Sequence, residues 1–213
     1  MSIESLLALA AAVFVFALKP GPGIMMAMTR SVSDGYRGLG TFLIGFNIGL
    51  AVYLGIVFIG LETLHIDIIF LSVLVKSLAA VYLIYLGIKG FQTPNPKMRV
   101  EEAETQSLLD NVSSAMMLTL SNPMIIVFYA SIIPVFINPD TITLNMIFFI
   151  MAMLMIIDSL GMVIYCLPLI LFRKTIPQSF MDKVRVISSI IIIMIGLYIG
   201  YTAIGAVDIL SVF

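Results

Sequence analysis

From Ile142 to Phe172 the chain carries a single charged side chain, Asp158. As a helix, a run of that length exceeds the roughly 30 Å of hydrocarbon in a bilayer, for which about 17–20 mostly apolar residues suffice. Comparable runs recur from one end of the sequence to the other. Only 11% of residues are charged and 61% are hydrophobic, where a soluble domain averages about 25% charged. The solvent that shapes this chain is therefore lipid, and the fold class is an all-α integral membrane protein.

Six spans are predicted, over about Ile3–Met28, Leu39–Leu61, Ile66–Ile88, Val112–Ile137, Ile142–Phe172 and Val184–Val207. The N-terminus, Met-Ser-Ile-Glu, has no basic stretch and no small-x-small cleavage site, so it reads as the first span rather than a removed signal peptide. With that end outside, Arg30, Arg37, Lys89, Lys97, Arg99, Arg173, Lys174, Lys183 and Arg185 all fall on the inner side. The outer connections hold Glu62, His65, Asp67 and Asp140 and no Lys or Arg, the asymmetry that sets orientation in membranes. Both termini are expected outside. The polar stretch around Pro94, Pro96 and Glu101 has no sustained period and reads as a cytoplasmic linker. It divides a single membrane domain, residues 1–213, into a first repeat of about 1–91, a loop of about 92–111 and a second repeat of about 112–213.

Several functions are excluded. A net charge of −1 gives no electrostatic basis for holding nucleic acid. One cysteine, Cys166, allows no internal disulfide, and one histidine, His65, allows no zinc motif. No metal site and no cofactor is expected. No Ser/His, Cys/His or paired-Asp arrangement suggests an enzyme.

The first span is interrupted by Lys19-Pro20-Gly21-Pro22-Gly23. Prolines remove backbone donors and clash with the preceding turn, and glycines weaken the helix further. At membrane depth such a break is tolerated only where the freed groups are buried in protein or face a watery cavity. The plainer alternative is a simple kink. Ser121-Asn122-Pro123 in the fourth span is its counterpart, Tyr85-Leu86-Gly87 matches Tyr198-Ile199-Gly200, and Asn47 falls where Asp158 does. Three spans per half require the repeat to be inverted across the membrane. Paired broken segments in inverted halves point to a substrate site near the midplane.

Asp158 lies about fifteen residues from either end of its span, roughly 22 Å along a helix axis, too far for the side chain to reach the surface. A charge at the bilayer centre costs about 2.5–3.5 kcal/mol even on the lenient scale, so Asp158 has to be paired, hydrated or protonated. It is the candidate for proton coupling, with a structural ion pair or a protonated carboxyl hydrogen-bonded to the backbone as the alternatives. Lys19 sits on the break. Lys76 either lines the site or extends to the outer interface. Asn47, Asn122 and Tyr82 are polar glue between helices or site residues. Gly45 and Gly49 invite close helix packing, within one protomer or between the two of a homodimer.

Pro20-Gly21-Pro22, the series Gly35, Gly38, Gly45 and Gly49, Lys76 followed by Ala79 to Gly87, and Asn122-Pro123 appear in one order along the chain. In that order they resemble the LysE/RhtB amino-acid exporter family over nearly its whole length. The resemblance implies proton-driven export of amino acids or related small metabolites through the inner membrane of a prokaryote. The substrate-binding set would be Lys19, Pro20, Gly21, Pro22, Asn47, Lys76, Asn122 and Pro123. The substrate carboxylate would meet freed N–H groups near Lys19 or Lys76, and its amino group Asp158. Met124 departs from the family, which has lysine after Asn-Pro, and this bears on substrate class. The alternative is another small solute or an inorganic ion. A lone membrane carboxylate argues against a hard cation, which prefers several oxygen ligands.

Overall fold

A computed structural model describes residues 2–63, 68–92, 107–137, 142–172 and 177–210. His65, Asp67, Asp140, most of the expected cytoplasmic loop, and the side chains of Lys76 and Pro123 lie outside the described residues. Among the described residues seven helices follow one another: α1 Ile3–Ala17, α2 Pro22–Thr63, α3 Ile68–Gln92, α4 Leu108–Leu120, α5 Pro123–Phe136, α6 Leu144–Phe172 and α7 Gln178–Leu210. Among the described residues no strand occurs.

Four of the helix starts have a local cause. Ser2 caps α1 by accepting from the Ser5 amide at 3.1 Å, and Glu4 occupies the first turn. Ser107 caps α4 in the same way through Asp110. Pro22 and Pro123 each open the helix that follows a break, where a missing N–H is harmless and the fixed φ fits. The first break accordingly covers residues 18–21, slightly earlier than the prolines alone suggest, and Gly23 is already helical.

The first expected connection is also different. Helix continues past Met28 because the polar residues there satisfy themselves along it: Thr29 Oγ1 donates to the Met25 carbonyl and Ser31 Oγ to that of Ala27. The chain turns instead at one residue, Gly35, with φ +59° and ψ −138°, a conformation that a side chain disfavours. Among the described residues, three helices are long and apolar enough to cross a membrane, starting from Pro22, Leu144 and Ser179. The pair α4 and α5, bent by 60° at its break, makes a fourth if it is taken as one span.

α3 lies along α7, α2 packs against α4 and α6, and α1 against α6. Small residues set the closest approaches. A side chain at Gly45 would overlap the Val112 carbonyl, and one at Gly49 would come within 2.8 Å of Thr119. The Gly45–Gly49 pair thus packs α2 against α4 within one protomer. A side chain at Gly161 would meet Ala17 at 2.8 Å, which brings α6 against the end of α1. The core holds Leu9, Phe42, Leu50, Phe128 and Ile132, while Ile44, Ile48, Val52 and Ile56 form an exposed apolar stripe along α2. Such a stripe suits lipid contact, not water. The sole cysteine, Cys166, is buried.

Candidate functional site

Both breaks open on one cavity. Its wall includes Lys19, Gly21, Pro22 and Gly23 from the first break, and Asn122 and Met124 from the second. Phe16, Ile24, Phe46, Ile125 and Met162 supply apolar surface, and Asp158 with Tyr129 supplies a polar corner. About 530 Å³ is free of atoms, the solvent in the open mouth included.

The two breaks satisfy their backbones differently. At the first, α1 ends with the Leu18 amide donating to Phe14 O and the Lys19 amide to Phe16 O, both at 3.0 Å. The Leu18 carbonyl accepts from Tyr165 Oη of α6 at 2.8 Å. Beyond the break, Gly21 stands in the capping position of α2 and has no side chain to give. The Met25 amide reaches Gly21 O at 3.0 Å, which leaves the Gly23 and Ile24 amides as the uncapped donors of a helix start. Both residues line the cavity.

At the second break, Tyr53 Oη of α2 donates to the Leu120 carbonyl at the end of α4. Asn122 then caps α5: its Oδ1 accepts from the Met124 amide at 3.1 Å, and its carbonyl accepts from the Ile125 amide at 3.2 Å. This helix start consumes its own donors.

Asp158 is buried, 5% exposed, and accepts a hydrogen bond on Oδ2 from the hydroxyl of Tyr129, which is fully buried on α5. The carboxylate therefore has a neutral partner rather than a cation. Lys19 borders the cavity, but its Nζ donates to the Leu86 carbonyl of α3 at 3.1 Å. The residues predicted from sequence thus divide. Lys19, Gly21, Pro22, Asn122 and Asp158 come together at the cavity. Pro20 is buried beside it without lining it. Asn47 faces elsewhere: its Nδ2 donates to Ser159 Oγ at 2.9 Å and to Leu43 O at 2.8 Å, while its neighbour Phe46 faces the cavity. One residue along a helix turns the side chain by about 100°.

Sequence reasoning missed Tyr129, Tyr165 and Tyr53, whose hydroxyls meet a carboxylate and two helix-end carbonyls. The available signal was chemical, since a tyrosine in a membrane core needs an acceptor for its proton. Met124, the position that departs from the family pattern, also lines the cavity. Among the described residues no group of three or more His, Cys, Asp or Glu could hold a metal.

A helical membrane protein whose interrupted helices enclose a small cavity, with free backbone donors and one carboxylate, has the form of a small-molecule transporter. The chain belongs to the LysE type translocator family, which matches residues 14–204. It is 34% identical over 126 residues to homoserine/homoserine lactone efflux proteins of Salmonella typhi and Salmonella typhimurium, over 59% of this chain and 61% of each relative. The aligned part thus spans less than two thirds of those relatives. An uncharacterized membrane protein of Vibrio cholerae serotype O1 is 32% identical over 139 residues, 65% of this chain and 68% of the relative. No solved structure matches.

Proposed function

We infer that this protein exports a small amino acid or a related metabolite, such as homoserine or its lactone, from the cytoplasm by proton antiport. The carrying observation is the meeting of two helix breaks and a buried carboxylate in one cavity. Membership of the translocator family and similarity to efflux proteins for homoserine support the direction and the cargo. A zwitterion fits the polarity of the site. Its carboxylate has the uncapped start of α2, where N–H groups and the helix dipole favour an anion. Its ammonium group has Asp158. The apolar walls from Phe16, Phe46 and Met162 suit a short aliphatic remainder.

The same reading takes α1 with the first part of α2 as one broken span and α4 with α5 as another. Six spans in two inverted repeats then place the inner basic residues on the cytoplasmic side of a bacterial inner membrane, with both termini outside. The matched tyrosine bonds, Tyr165 to Leu18 and Tyr53 to Leu120, support the repeat. A homodimer remains part of the proposal.

The deciding experiment is counterflow exchange in proteoliposomes with a pooled panel of labelled amino acids, homoserine and homoserine lactone included. Saturable exchange of at least one member is expected; no exchange of any member would refute the reading. Topology is tested with single cysteines at Ser33 and Glu102, expected to be labelled only from the cytoplasmic side. Labelling of position 102 from outside intact cells would overturn the orientation.

A further inference from the structure

The Tyr129–Asp158 hydrogen bond joins two unlike elements. α6 is one continuous helix, whereas α5 is a short segment that begins at the second break. Tyr129 lies two turns from the cap residue Asn122 and is fully buried. Its ring meets that of Phe128 edge-on at 5.4 Å, and Phe128 stacks on Phe16 of α1 at 3.7 Å. The phenol has one proton to give and gives it to Asp158.

We propose that Tyr129 is a positioning residue that holds α5 to the ionised carboxylate of Asp158 and releases it when that carboxylate takes up a proton. The second break then moves with the proton. The proposal rests on the reading of Asp158 as the proton-carrying group. A hydrogen bond to an ionised acceptor is roughly twice as strong as one between neutral groups, so protonation weakens this link in particular. The proton adds to a carboxylate oxygen from the outer side and leaves that oxygen to the inner side, and no covalent bond of Tyr129 is broken. Few other groups compete for the carboxylate. From the first break Lys19 borders the cavity with its Nζ on Leu86 O. From α2 comes the uncharged Asn47, bonded to Ser159. On α6 itself Tyr165 donates to Leu18 O.

The test compares the wild type, Tyr129→Phe, Asp158→Asn and the double variant in vesicles. Wild-type counterflow reports on the exporter reading separately from the link. With Tyr129→Phe, exchange without a pH gradient is expected to persist, while accumulation driven by a pH gradient falls about tenfold, equivalent to about 1.4 kcal/mol of coupling. The double variant is expected to fall no further than Asp158→Asn alone, because once position 158 cannot titrate, its bond to Tyr129 no longer answers to the proton. Additive losses, or full accumulation by Tyr129→Phe, would overturn the proposal. A second measurement needs neither substrate nor variant. Hydrogen exchange of the α5 amides in the wild type, corrected for intrinsic pH dependence, is expected to be several-fold faster at acidic than at alkaline pH. Exchange of α5 that is independent of pH would overturn it equally.

Discussion

The two breaks look alike in sequence, each a proline following a polar residue, yet they are finished differently. The first leaves the start of α2 uncapped, with Gly21 where a side chain would cap it, and anchors the preceding helix through Tyr165 and Lys19. The second caps itself through Asn122 and is tied to α6 through Tyr129 and Asp158. One is a fixed edge with donors to spare; the other is a sealed edge held by a bond that a proton can weaken. Two similar interruptions can thus be finished in different ways, one with donors left open and the other tied by a titratable bond.

The largest effect is expected at Asp158. Asp158→Asn keeps the shape and the acceptor for Tyr129 but cannot titrate. Its amide oxygen still accepts from the substrate's ammonium group but offers it no charge, so counterflow exchange should persist with a raised KM while accumulation against a gradient is lost, both measured in the same vesicles. Loss of both would mean that Asp158 serves binding or folding alone and not coupling. Retention of both would remove the contrast between the two edges.

Gly21→Asp comes next. Gly21 has a negative φ and open space around a new Cβ, whose nearest neighbour would be Lys19 O at 3.9 Å. An aspartate there should cap α2 and raise thermal stability in detergent by a few tenths of a kcal/mol, since glycine is itself a tolerated cap. It should also occupy the donors meant for the substrate and raise KM about tenfold, or 1.4 kcal/mol. A stabilised variant with unchanged KM would show that the carboxylate of the substrate binds elsewhere.

Asn122→Ala is the converse. Removing the cap of α5 should lower stability by about 1 kcal/mol with little change in KM. A KM effect as large as that of Gly21→Asp would make the edges equivalent. The smallest change is expected from Lys19→Met. It removes one interhelical hydrogen bond, worth about 0.6 kcal/mol on average in a membrane protein. The protein should accumulate normally while transport slows. Normal transport would make Lys19 an anchor alone.

The breaks were legible in the sequence because proline acts through its own backbone. So was the burial of Asp158, because its distance from the two ends of its span is a property of one segment. The turn at Gly35 was misplaced by apolar counting, which ended the first span at Met28 although Thr29 and Ser31 satisfy their hydroxyls on the helix itself. The partner of Asp158 was not legible at all, since Tyr129 is distant in sequence and looks like any aromatic in an apolar helix. Asn47 shows the same limit at close range: its position in the sequence parallels Asp158, but rotation about α2 gives the cavity to Phe46.

The burial of Cys166 has a practical corollary for spectroscopy. Because the only native thiol is sequestered in the packed interior, the wild-type chain offers a quiet background for maleimide chemistry. A pair of reporter thiols at Ser33 and Ser107, both outside the apolar core, would carry spin labels without first engineering a thiol-free template. Inter-label distance distributions recorded across a pH series would then read the motion of the two halves directly as a change in a ruler.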